Sequence, residues 1–154
     1  MAVIDGKNAI LGRLASYTAK QLLNGENVSI VNAEKIIITG DPRSIKEKYI
    51  ARRRRGSPHH GPFFPKRPDL IVRRTIRSML PYKTGKGRQA FKRLRVYTGV
   101  PEGVGEAQKM EASISTKYMR VGDIAKALGW RELYGKKIKS NCDCRQAQAI
   151  HSQG

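Results

Sequence analysis

Between Arg52 and Arg77 the chain reads RRRRGSPHHGPFFPKRPDLIVRRTIR, which sets His59, His60, Phe63 and Phe64 among eight arginines. Guanidinium groups present planar forks of donors that match phosphate oxygens two at a time, and they also stack on bases. The imidazoles beside them have two candidate uses: acid–base or metal-assisted cleavage of a phosphodiester, or contact with bases and phosphates. Metal-assisted phosphoryl chemistry needs clustered carboxylates, yet Glu47 and Asp69 are the only acids between Arg43 and Arg95. Contact with a folded RNA is the better account of His59 and His60, and an RNA-cleaving enzyme using either one is the rival. At least one phenylalanine is expected to plug the loop onto the core, since burying such a ring is worth roughly 2–3 kcal/mol. The other is then free to stack on a base.

Charge distribution points to the same partner. The chain of 154 residues carries 31 Lys and Arg against 12 Asp and Glu, a net +19. Eighteen of those cations but only two of the acids lie between Arg43 and Arg95. Adaptation for solubility would spread the charge, whereas a concentrated excess implies a polyanion whose counterions are released on binding. Cys142 and Cys144, the only cysteines, are too close for an unstrained disulfide and too few for a zinc site, so two reduced thiols are expected. No basic-then-apolar leader and no long apolar run is present, which leads us to expect a chain that is neither secreted nor membrane-spanning. Gly6 and Gly12 flank the first turn, but neither phosphate-loop fingerprint accompanies them; tight turns and close packing are the plainer account.

The elements that must position these groups follow from periodicity. Ala2 to Asp5 reads as a buried strand; Leu11, Leu14, Ala15, Thr18 and Leu22 recur at helical spacing until Asn24-Gly25. Val28–Val31 and Ile36–Thr39 are two more β-branched runs. Asp41-Pro42 supplies a cap and a proline at the first helical position, and Ile45, Tyr49 and Ile50 give the inward face of a second helix that runs into the arginines. Pro58, Pro62, Pro65 and Pro68 make the next stretch a loop. A third helix starts at Pro68-Asp69, gathering Ile71, Val72, Thr75, Ile76, Met79 and Leu80 on one side and Arg73, Arg74 and Arg77 on the other, until Pro81. A short helix at Arg88–Arg93 and a fourth strand at Leu94–Thr98 come next. Glu102–Lys117 lacks periodicity and is expected to be irregular; Val121, Ile124, Ala125 and Leu128 mark a short helix ending near Gly129. We expect residues 1–130 to form one domain with a basic loop at 52–68, and residues 131–154 to be a polar tail, mobile or ordered by a partner.

Several short motifs in one collinear order carry a resemblance. They are Asp5-Gly6, Gly12-Arg13-Leu14-Ala15-Ser16, Val31-Asn32-Ala33-Glu34-Lys35 through Ile38-Thr39-Gly40, Lys66-Arg67-Pro68-Asp69, Arg74-Thr75-Ile76-Arg77 with Met79-Leu80-Pro81, Gly87-Arg88, and Arg95-Val96-Tyr97 with Gly99. With these the chain resembles the large-subunit ribosomal protein L13 (uL13) family in its archaeal and eukaryotic form. The resemblance implies an α/β fold with a four-stranded, mainly parallel sheet flanked by helices. It implies a cytoplasmic, non-enzymatic constituent of the large ribosomal subunit that binds 23S-type rRNA and abuts neighbouring ribosomal proteins. Neither a cofactor nor a metal, a small-molecule substrate or a membrane is implied. Family members usually carry glycine where Ser78 stands, so its hydroxyl is a candidate extra phosphate donor. The expected contacts are Arg52, Arg53, Arg54 and Arg55 at the end of the second helix and His59, His60, Lys66 and Arg67 along the loop. Arg73, Arg74 and Arg77 on the third helix, with Lys83, Lys86 and Arg88 beyond it, complete one basic face.

Overall fold

Val28–Val31 is buried at all four positions, as a strand covered on both faces must be, and it lies at the centre of a parallel sheet. The computed structural model describes residues 2–57, 59–101, 107–110, 112–113 and 115–131. The elements in chain order are β1 (Ala2–Asp5), α1 (Leu11–Leu23), β2 (Val28–Val31), β3 (Ile37–Thr39), α2 (Pro42–Arg54), α3 (Pro68–Met79), α4 (Gly85–Lys92), β4 (Leu94–Val96), β5 (Gln108–Lys109), β6 (Tyr118–Arg120) and α5 (Val121–Ala127). The strand order β4-β2-β1-β5 is parallel throughout, with Ile4 opposite Ile30 and Ile30 opposite Val96. The expected α/β fold with a four-stranded parallel sheet is present. Residues 132–154 of the expected tail, with Cys142 and Cys144, lie outside the described residues.

Two strands sit elsewhere than periodicity suggests. Ile37–Thr39 leaves the main sheet and pairs antiparallel with β6, Ile38 opposite Met119. Its β-branched residues report burial, and either pairing would bury them. The fourth strand of the sheet falls instead in the stretch expected to be irregular. Gln108 and Lys109 are exposed and only two residues long, so no alternation could announce them; pairing with Ile4 and Asp5 defines the strand.

Local chemistry explains the helix boundaries. Asp41 caps α2 by accepting from the Ser44 amide at 3.3 Å, with Pro42 behind it. Gly25 after α1 and Gly129 after α5 adopt φ of +101° and +84°, the left-handed stop that glycine takes without cost. Helix α4 begins three residues earlier than its apolar pattern indicates, because Thr84 caps it by accepting from the Gly87 amide. Gly87 belongs there for a steric reason: a Cβ would run into the Pro81 carbonyl.

Beyond the carboxyl ends of β1 and β2 the chain uses its own polar groups. Asn32, at φ 55°, donates Nδ2–H to Asp5 Oδ1 at 2.8 Å, and Glu34 Oε2 accepts from the Gly99 amide at 3.0 Å. A Cβ on Gly6 would meet the Ile36 side chain at 2.7 Å, so close packing accounts for that glycine; around Gly12 the space is open and packing does not. The core joins α1, β2 and α3, which also meets α5 and β4. Ile71, Val72 and Ile76 are at most 1% exposed on the packed side of α3.

Ile76→Asp should cost more than about 4 kcal/mol, since it strands an unpaired charge in that core, and a thermal melt should show no cooperative transition. Gly87→Ala should cost about 1–3 kcal/mol through overpacking against Pro81. An unchanged melt for either variant contradicts the packing described.

Candidate nucleic-acid interface

Arg52, Arg53 and Arg54 close α2 and cannot share a face, because each is turned about 100° from the last, while Arg55 is the extended residue that caps the helix. Arg52 and Arg55, three apart, border one cleft together with Arg74 of α3. Arg53 departs toward the end of α5, its guanidinium 3.7 Å from where a Cβ on Gly129 would stand. Arg54 is exposed. All four sit at the carboxyl end of α2, where the helix dipole favours cations. The single basic face expected from the run of arginines is therefore a fan, of which two members converge with α3.

The loop that follows is tied down by its own chain. Ser57 and Gly61 exchange amide–carbonyl hydrogen bonds of 3.3 and 2.9 Å, leaving exposed His59 and His60 at the tip. Gly56 allows this turn: its φ is +98°, and a Cβ would overlap the Gly61 carbonyl. Phe64 packs edge-on against Tyr49 with centroids 5.6 Å apart, while Phe63 is 70% exposed. One ring anchors and the other stays open, as the sequence suggests. Exposed Lys66 follows. Arg67 donates twice to Asp69, Nε–H at 3.1 Å and Nη2–H at 2.8 Å, so part of its fork is already engaged.

On α3 the arginines lie on aromatic faces. Arg73 sits 4.7 Å over Phe91, Arg74 4.9 Å over Phe64 and Arg77 5.1 Å over Tyr82. Arg74 also donates to the Phe63 carbonyl at 3.0 Å. Arg73 and Arg74 are half-buried and only Arg77 is exposed, so the basic side of the helix is partly covered. Arg74, Arg77 and Lys83 line a second groove of about 660 Å3, continuous with the first cleft through Arg74 and Ser78. Lys86 and Arg88 are exposed on α4, with Arg88 donating to the Tyr82 carbonyl at 3.4 Å. Ser78 donates its hydroxyl to the Thr75 carbonyl at 2.6 Å, so the proton of the candidate phosphate donor is committed within the helix.

Tyr49, Tyr82 and Phe91, the rings that orient Arg52, Arg77 and Arg73, escaped the sequence reading as site residues. Tyr49 offered a signal, three residues before Arg52 on one helix; the other two pairings are tertiary. Among the described residues Arg67–Asp69 is the only ion pair, and no three His, Cys, Asp or Glu cluster as a metal site would require. None of the described helices is long and apolar enough to cross a membrane.

A small α/β body with a cationic stripe, whose cations are nearly all uncompensated among the described residues, defines a class of small basic α/β protein. Comparison with known proteins names the branch. A family model described as "Ribosomal protein L13" matches residues 1–103. Large ribosomal subunit protein uL13 of Methanopyrus kandleri is 49% identical over 138 residues, covering 84% of this chain and 87% of the relative. The uL13 proteins of Archaeoglobus fulgidus and Methanocaldococcus jannaschii are 45% and 48% identical, again over 84% of this chain and over 88% and 98% of their own. The chain belongs to the ribosomal protein L13 family in its archaeal form, a family of structural, non-enzymatic components of the cytoplasmic ribosome. The histidine-based RNA-cleaving enzyme is thereby set aside.

Burial raises the Tyr49 hydroxyl above its ordinary 10.0, an effect the nearby Arg52 charge opposes. A phenol whose folded value is raised contributes stability that is whole below about pH 10 and is lost as pH climbs through the folded value. Tyr49→Phe should therefore flatten the alkaline fall in unfolding free energy by up to about 1.4 kcal/mol per pH unit, measured by denaturant titration on both sides of that pH.

Proposed function

We propose that this ribosomal constituent binds large-subunit 23S-type rRNA directly, and that residues 1–130 act as one body whose cationic stripe stabilises the RNA fold during assembly and translation. The observation that carries the reading is convergence without compensation. Arg52 and Arg55 from α2, Arg74 and Arg77 from α3 and Lys83 beyond it border two adjoining grooves, and none has a carboxylate within ion-pair distance among the described residues. Such a surface favours phosphate backbone over base sequence, since guanidinium forks meet the repeating anion whatever base it carries. His59, His60 and Lys66 on the loop, with Lys86 and Arg88 on α4, extend the track on either side. Arg53, directed toward the end of α5, and exposed Arg54 suit a second RNA strand at the end of α2. Neighbouring large-subunit proteins are the expected protein partners.

Replacing Arg52, Arg53, Arg54 and Arg55 by alanine should leave the far-ultraviolet circular dichroism unchanged while weakening binding to purified large-subunit rRNA. The plot of log affinity against log salt should flatten by roughly 0.7–0.9 for each phosphate that is no longer neutralised. Native affinity and slope in a folded variant would sink the assignment.

A further inference from the structure

The cleft bordered by Arg52, Arg55 and Arg74, of about 470 Å3, is more enclosed than the wider groove beside it, and a phosphate track needs no such enclosure. That volume lies in the roughly 300–1,000 Å3 range of sites that enclose a small ligand. Its depth is apolar, with Leu11 of α1, Ile71 of α3 and the Phe64 ring contributing, while its rim carries three guanidinium groups and no carboxylate. We propose that it receives one splayed-out nucleotide of large-subunit rRNA, the base entering against the apolar depth and an adjoining phosphate resting on Arg52 and Arg55. This rests on the rRNA-binding reading above and adds to it a subsite that takes a base.

Three observations select a nucleotide. An occupant apolar at one end and anionic at the other complements a cleft lined by Leu11, Ile71, Tyr49 and Phe64 together with three arginines, and a base with its phosphate has that composition. The walls are also set before anything enters. Phe64 is seated on Tyr49, Arg74 is held both by the Phe64 face and by the Phe63 carbonyl, and Arg52 lies 5.8 Å over Tyr49, so little side-chain freedom remains to be given up on binding. Finally, Thr75 and Ser78 on the α3 wall each donate inward to their own helix, to the Ile71 and Thr75 carbonyls. Their oxygens remain as acceptors for the amino and imino hydrogens of a base edge. An acidic protein segment would satisfy the arginines but leave the apolar and aromatic lining without a matching group.

The test uses the full chain and rRNA extracted from purified large subunits. Short-wave ultraviolet irradiation of the complex, followed by mass spectrometry, should give nucleotide adducts on Phe64 or Tyr49. Ser78→Trp fills the cleft from its exposed rim without changing charge. It should weaken binding about tenfold, the share of one base stack, while changing the salt slope by less than the value for a single phosphate. Wild-type affinity of a folded Ser78→Trp protein, or adducts confined to residues outside the cleft, overturns the base-binding subsite alone. Cross-links from Phe64 or Tyr49 to another protein in whole large subunits overturn it in favour of a protein occupant. If the unaltered chain shows no salt-dependent affinity for the rRNA, the rRNA-binding assignment fails first and this one with it. Should Ser78→Trp not fold, the adduct map of the unaltered chain decides the matter.

Discussion

Ile71, Val72 and Ile76 are buried against α1, α5 and β4, and their packing fixes the rotation of α3 about its own axis. A helix so held has no freedom in where it sends the residues between them. Arg73, Arg74 and Arg77 emerge along lines set by the apolar pattern, and the grooves they border inherit their direction from the core. The position of the charge is thus a consequence of hydrophobic burial. A polar residue on the packed side would disturb the stripe by releasing the helix, whereas a change on the cationic side leaves the frame standing.

Crowded cations repel, and proteins commonly relieve this by interleaving carboxylates. Here the only ion pair among the described residues is Arg67–Asp69. The relief takes another form: Arg52, Arg73, Arg74 and Arg77 each lie within 5.8 Å of an aromatic centroid. A ring face attracts a guanidinium by roughly 0.5–1 kcal/mol at an exposed site. Unlike a carboxylate it orients the cation without cancelling its charge. Attraction toward a distant polyanion is retained, and a planar donor fork is kept in a defined direction. This difference explains how a surface so short of acids can still be ordered.

Periodicity is a good guide wherever burial is one-sided or complete. The apolar repeats of α1, α3 and α5, the Asp41-Pro42 start of α2 and the buried run of β2 are all legible, because each leaves a pattern in residue type. What escapes is backbone pairing without such a pattern. Exposed Gln108 and Lys109 join the sheet through main-chain bonds alone, and Ile37–Thr39 is equally β-branched whichever strand it pairs with. Glycines that read as helix breakers conceal the start of α4, since the close approach to Pro81 is a tertiary fact. At the interface, the abundance of arginine is plain and its direction is not. Adjacent letters suggest a common face; a helix of 3.6 residues per turn sends Arg52 and Arg53 apart. The resemblance to the L13 family supplies the fold class, which periodicity alone does not order into a sheet.

Open parallel sheets usually bind ligands in the crevice beyond the carboxyl ends of their strands. In this protein that region is closed by internal bonds. Asn32 is spent on Asp5, and Glu34 on the Gly99 amide, so the carboxylates that would orient a ribose or a metal serve to fasten the segments after β1, β2 and β4. The uncompensated cations among the described residues lie instead on the outer side of the helices, where the α2 end, the loop and α3 meet. A crevice suits a small ligand that can be surrounded. A long polymer needs a surface it can lie along, and side chains on helix exteriors provide one without opening the core. Architecture in common with nucleotide-binding folds therefore carries no expectation of their chemistry here, and the site has to be read from its own residues.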